Sequence, residues 1–221
     1  MGLTRQHLLP PELELLFTIM VGIFWILTYG MIIYRGFIDK RCGMPFAALC
    51  GNVTWEYIYS FLFPHAPPAN YIIYLWLGLD MIILYQFILY SRDDLPNPLS
   101  DRWFLPTLVS AFVIAFSLHY FIAIEFANQD GGYSAYGLNL LMSILFVFML
   151  LRRDDIRGQS MYIAVFKLIG TIFASIVSYS FYPASSLLTF LYVATFFFDI
   201  LYVIMLQQRI KREAIYTHAS S

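Results

Sequence analysis

A chain of 221 residues that is 60% hydrophobic and only 12% charged departs from soluble domains, in which roughly 25% of residues carry charge. Its formal net charge of −1 excludes a bulk electrostatic attraction to nucleic acid. Long apolar runs with so little charge read as an integral membrane protein, an all-α bundle of seven transmembrane helices in a single domain over residues 1–221.

The N-terminal stretch MGLTRQHLLPPELELLF has one arginine and two acids before its apolar run, and it shows no cleavage-site pattern. The first run, 13–34, is therefore read as a retained span and not as a signal peptide. The second span is predicted at 44–63. Cys42 and Cys50 flank its start, eight residues apart, and a bridge between them would break the helix, so both are expected to be free thiols. FPHAPPAN (63–70) is a proline-marked turn. Further spans follow at 71–90, 103–124 and 135–151, the last able to begin as early as Gly132. SFYPASS (180–186) separates the final two, 161–180 and 186–206.

The charges orient this bundle. Arg35, Lys40 and Arg41 follow the first span, and Arg92 and Arg102 follow the third. Arg152, Arg153 and Arg157 follow the fifth, and Arg209, Lys211 and Arg212 follow the seventh. All fall on one side, leaving only Arg5 outside and Lys167 within a span. The positive-inside rule places the N-terminus outside or in the lumen and the C-terminus in the cytoplasm. In a eukaryote the host would be the endoplasmic reticulum membrane.

Four spans carry an ionisable residue, a costly choice in lipid unless the group is partnered or faces a cavity. These are Glu56, Asp80, Lys167 and Asp199, with Asn52, Asn139 and His119 adding polarity. At about 1.5 Å per residue, Asp199 and Lys167 lie ~10 Å from the cytoplasmic boundary, Asn52 ~12 Å, Asp80 ~15 Å, and Glu56 and Asn139 ~18 Å. One polar pocket in mid-membrane would explain that common depth. Asn52, Glu56 and Tyr59 share a helix face, with Trp55 beside them, and Tyr192, Thr195, Asp199 and Tyr202 form a second stripe. Two carboxyls among aromatic rings suit the generation and steering of a carbocation, because ring faces attract cations. An apolar site also disfavours the charged form of a carboxyl, letting it hold a proton at neutral pH. The structural alternatives are plain: an ion pair of Lys167 with Asp199 or Asp80, interhelical bridges through Asp80 and Asn52, and a lone, satisfied His119.

Other motifs carry less. NVT (52–54) matches a glycosylation sequon but lies inside a span. DDLPN (93–97) and DDIRG (154–158) resemble metal-binding aspartate runs, yet Pro96 breaks the first and Arg92, Arg152 and Arg153 neutralise both, so they read as charged loops at the membrane edge. No cofactor or metal site is expected.

GMPFAALCGNVTWEYIYSFLFP (43–64) resembles the second span of the small integral-membrane terpene cyclases of fungal meroterpenoid and indole-diterpene pathways, with their Asn-x-x-Trp-Glu pattern; Gly51 stands where several members have Cys. WLGLD (76–80), RGQSMYIAVFKLIGT (157–171) and FFFDILYVIML (196–206) resemble their third, sixth and last spans. The resemblance implies protonation of an epoxide or alkene on a prenylated polyketide, aromatic or indole substrate, followed by ring closure without a metal. It implies Glu56 and Asp199 as the catalytic acids. Asn52 would orient Glu56, Trp55, Tyr59, Trp76 and Tyr202 would shield cations, and Asp80 and Lys167 would stand behind them. The expected partners are that prenylated substrate and membrane lipid. The rival reading, a small seven-span transporter of the sugar-exporting type, calls for a three-span repeat and Pro-Gln dipeptides; the sequence has no Pro-Gln.

Overall fold

The computed structural model describes residues 5–90, 101–127 and 130–219. Among the described residues seven α-helices follow one another: α1 Pro11–Asp39, α2 Phe46–Tyr57, α3 Ala69–Tyr90, α4 Asp101–Glu125, α5 Gly132–Arg152, α6 Met161–Phe181 and α7 Ser186–Ala219. All but α2 are long and apolar enough to cross a membrane. The second differs from the span expected there. It is 12 residues of α-helix that run on as a 5-residue π turn, Ile58–Leu62, bounded by Pro45 and Pro64. Its buried polar side chains are Asn52, Thr54 and Glu56. The run DDLPN lies outside the described residues.

Local chemistry fixes several helix ends. α1 starts on Pro11 with Glu12 and Glu14 in its first turn, a favourable pairing of negative charge with the positive end of the helix dipole. It ends at Lys40, which adopts the left-handed conformation with φ 51°. Ser160 caps α6 by accepting from the Ile163 N–H at 3.3 Å, and this satisfies one of the donors a helix start leaves open.

α2 sits at the centre, in contact with α3, α4 and α5. α1 packs on α3 and α6, and α7 packs on α5 and α6. Gly170 brings α6 close to α1: a Cβ there would lie 2.9 Å from Trp25 Cδ1. α4 covers α2 from one side and turns Leu105, Val109, Ile114, Leu118 and Phe121 outward. In water such a surface would be an aggregation hazard, but it suits acyl chains.

The two ends of the bundle have different characters. One gathers the basic loops. Arg41 reaches Asp155 at 3.0 Å, Arg153 donates to the Cys42 carbonyl and Arg209 donates to the Asp154 carbonyl. Desolvation pushes the Asp155 carboxyl up, but the Arg157 side chain and backbone N–H, with Arg41, hold it below the ordinary carboxylate value. DDIRG, expected only as a charged loop, is thus a latch between loops. The opposite end carries the chain's N-terminal residues, the start of α5 and the end of α6. Cys42 and Cys50 are both buried free thiols.

Candidate active site

A cavity of about 270 Å³ opens among α1, α2, α3, α5 and α6. Its walls are aromatic and aliphatic: Trp25, Trp55, Trp76, Tyr136, Leu138 and Met142 all line it. Trp25 packs edge-on against Trp76 at 6.5 Å and against Tyr29 at 5.7 Å. Asn52, Glu56, Tyr29 and Asn139 supply the inner polar groups.

Glu56 is only 2% exposed. The Tyr29 hydroxyl donates to its Oε1 at 3.3 Å, and the Asn52 amide in turn donates to the Tyr29 oxygen at 2.9 Å. Its second oxygen, Oε2, is buried with no hydrogen-bond partner. Asp80 of α3 stands against Glu56 and Asn52; it is fully buried, and neither of its oxygens has a hydrogen-bond partner. Two carboxyls thus stand side by side in a dry site, where charge on both would carry a large electrostatic cost.

Asp199 stands elsewhere. Its Oδ1 accepts from Lys167 Nζ at 2.6 Å. The same ammonium donates to Asn139 Oδ1 at 3.0 Å and Ser143 Oγ at 2.6 Å, and it lies 5.7 Å from the Trp25 ring centroid. Asn139 completes the link by donating to Thr171 Oγ1 at 3.1 Å. Asn139 and Trp25 line the cavity; Lys167 and Asp199 are not among its lining residues. The expected meeting of Glu56 and Asp199 on one chamber therefore gives way to two centres. One is Glu56 on the cavity wall with Asp80 beside it outside the lining, and the other is an ion pair behind it.

Of the remaining residues expected at the site, Asn52, Trp55 and Trp76 line the cavity. Tyr59 is completely buried, with its ring 4.5 Å from that of Trp55 and its edge against Gly131. That glycine has φ +71°, and a Cβ on it would come within 2.5 Å of the Tyr59 ring. Tyr202 is remote from the cavity: it packs on Phe146 at 5.2 Å and donates to Gln159 at 3.1 Å. His119 is buried, its ring bonded to the Gly51 backbone while Nδ1 lacks a partner, so it is satisfied in part. The sequence reading missed Trp25, Tyr29 and Tyr136. The spacing of Trp25, Tyr29 and Ile32 along one buried face of α1 was the available signal.

The far end of the cavity is polar. Arg5, His65, Asp130 and Tyr182 line it there. The Tyr182 hydroxyl donates to Asp130. Burial lowers the His65 pKa further than Asp130 raises it, so the imidazole is neutral at pH 7.

Residues 9–212 match the Pyr4-like transmembrane terpene cyclases. The chain belongs to that family. Among curated relatives, this Pyr4-like chain is 31% identical over 170 residues to asnovolin H synthase nvfL of Aspergillus novofumigatus (strain IBT 16806), a match covering 72% of the chain and 67% of the relative. It is 31% identical over 155 residues to terpene cyclase andB of Emericella variicolor, covering 68% and 65%. A longer match, 24% over 205 residues, joins it to the Pyr4-family terpene cyclase mfmH of Annulohypoxylon moriforme, covering 87% and 84%. For the first two relatives, then, the aligned stretch is about two thirds of their length. Among the described residues of this Pyr4-like chain, no three His, Cys, Asp or Glu side chains gather as a metal site.

Proposed function

We propose that this chain is a proton-initiated terpene cyclase acting on a prenylated polyketide, aromatic or indole substrate whose chain ends in an epoxide. The carrying observation is Glu56: a dry carboxyl with one oxygen held by Tyr29 and the other free of partners, on the wall of an aromatic cavity. In this reading Glu56 Oε2–H donates its proton to the epoxide oxygen. One C–O bond opens, the oxygen stays on the neighbouring carbon as a hydroxyl, and the carbon it released becomes cationic. Alkene electrons of the same chain then close the rings. The faces of Trp25, Trp55 and Trp76 lower the energy of each cation without offering it a nucleophile. A carbon-bound proton is finally taken up by the carboxylate left on Glu56, which restores an alkene and returns the acid to its starting state. The reaction so written uses no metal and no diphosphate leaving group.

Asp80 shares the initiating proton with Glu56, and Asn52 orients Tyr29. Asp199 acts from behind the wall: it balances Lys167, whose ammonium fixes the Asn139 amide that faces the substrate. The chain crosses the endoplasmic reticulum membrane seven times, α2 and its π turn being largely buried and turning Tyr57, Phe61 and Leu62 outward.

The test is turnover of prenylated epoxides by membranes carrying the protein, with products read by mass and NMR. Glu56→Gln keeps the size and the Tyr29 contact but has no acidic proton. It should reduce cyclisation by about 10²–10⁴-fold, the usual worth of a general acid, at unchanged protein level. Turnover near wild type would remove Glu56 from the mechanism.

A further inference from the structure

The polar end of the cavity has no part in the chemistry just described. We infer that it is the head-group site of the substrate, and that Arg5 selects head groups bearing an acidic phenol or enol oxygen. This inference rests on reading the cavity as the cyclisation chamber.

The segment around Arg5 is held in place. The Gln6 N–H donates to the Phe181 carbonyl at 2.8 Å, and the N–H groups of Leu8 and Leu9 both donate to Ser180 Oγ at 3.0 Å. Arg5 thus sits on a strap fastened over the end of α6. Its guanidinium lies 3.8 Å from the centroid of the Phe181 ring. Stacking fixes the plane of the group and leaves its in-plane N–H donors at the edge, the geometry in which arginine reads an oxyanion. Arg5 and Phe181 line the same cavity as Glu56.

Two neighbours sharpen the selection. The Asp130 carboxylate accepts from Tyr182, so part of its negative charge is already engaged. His65 lines the cavity, and its Nε2 is buried without a hydrogen-bond partner. The mouth therefore offers a cation and an unsatisfied imidazole nitrogen. A ring with an ionisable oxygen beside a second polar group answers both, whereas a plain indole or an alkylated oxygen leaves Arg5 unanswered.

The depth of the cavity fits a substrate with two different ends. Gly132 and Met142 both line it, and ten residues of α5 at about 1.5 Å each separate them by ~15 Å. The head ring bound at Arg5 and the chain end at Glu56 would each occupy the polar end suited to it, with the prenyl chain along the apolar stretch between.

Binding, not turnover, provides the test. Membranes would be titrated with a radiolabelled farnesyl acylphenol lacking the epoxide, and with its O-methyl ether. Wild type should prefer the phenol. Arg5→Gln should weaken phenol binding about tenfold or more, as loss of a charge-assisted hydrogen bond implies, and should move the ether by less than about threefold. Arg5→Lys should recover most of the lost affinity. Equal changes for both ligands would mean that Arg5 only fastens the strap, and would overturn the inference. So would an absent wild-type preference for the phenol. Glu56→Gln separates the two readings: it should bind the phenol like wild type while failing to cyclise the corresponding epoxide. If wild-type membranes prefer the phenol but turn over no prenyl epoxide, the head-group site stands and the cyclase reading falls.

Discussion

At the scale of single residues, the chain contains two answers to the problem of charge in a membrane. Glu56 is kept against a second carboxyl, Asp80. Asp199 is paired with Lys167 at 2.6 Å. The two arrangements respond differently to substitution. Asp199→Asn strands a buried ammonium, which costs about 3–5 kcal/mol, so loss of activity in that variant reports folding before mechanism. The double variant Lys167→Met with Asp199→Leu removes both charges, and a thermal-shift measurement on solubilised protein should show its stability returned to near wild type. If Asp199 is a positioning residue, this double variant should also recover cyclisation to within about tenfold of wild type, a loss far smaller than that of a missing general acid. A double variant as inactive as Glu56→Gln would instead give Asp199 a direct part in proton transfer.

At the scale of elements, the helices were mostly legible in advance. Hydropathy places the spans because a lipid-facing surface must be apolar along its whole length, and α3, α4, α5 and α6 begin and end within three residues of expectation. The second-span stretch 43–64 also pointed to the family that the chain matches. The site was legible only in part. The i, i+4 spacing of Asn52 and Glu56 shows that they share a face. Tyr192, Thr195 and Asp199 show the same regularity, and periodicity does not say which neighbour each stripe meets. Interhelical register makes Glu56 a cavity residue and Asp199 the partner of Lys167, and register is absent from the pattern of any one helix. Nor does IYSFL distinguish a π turn from an α turn, since the same apolar residues serve both. Its packing has a measurable consequence. Tyr59 rests on Gly131, whose φ of +71° lies where other residues are strained. Gly131→Ala adds a clash to that strain and should destabilise the protein by about 1–3 kcal/mol. Denaturation of the purified protein, compared with Gly137→Ala, whose added Cβ meets nothing within 4 Å, would measure the difference.

At the scale of the whole molecule, the bundle is polarised from end to end. The latch of Arg41, Asp155, Arg153 and Arg209 ties three elements together at the basic end, and the strap at residues 5–9 closes over α6 at the other. The positive-inside rule predicts that a glycosylation acceptor added before Met1 is modified and one added after Ser221 is not. The reverse pattern would invert the orientation, and modification at both ends would set an even number of crossings. The π turn between these two ends has a consequence for how such proteins diversify. A π turn accommodates one residue more than the α-helix around it needs. Deleting one residue within Ile58–Leu62 would let the segment rewind as ordinary helix with the chain on either side close to its present phase. Glu56, Trp25 and Trp76 would keep their places, and the change would fall on Tyr59 and its seat against Trp55 and Gly131, so a change of one in chain length offers evolution a route to reshape the edge of the chamber that leaves Glu56 untouched.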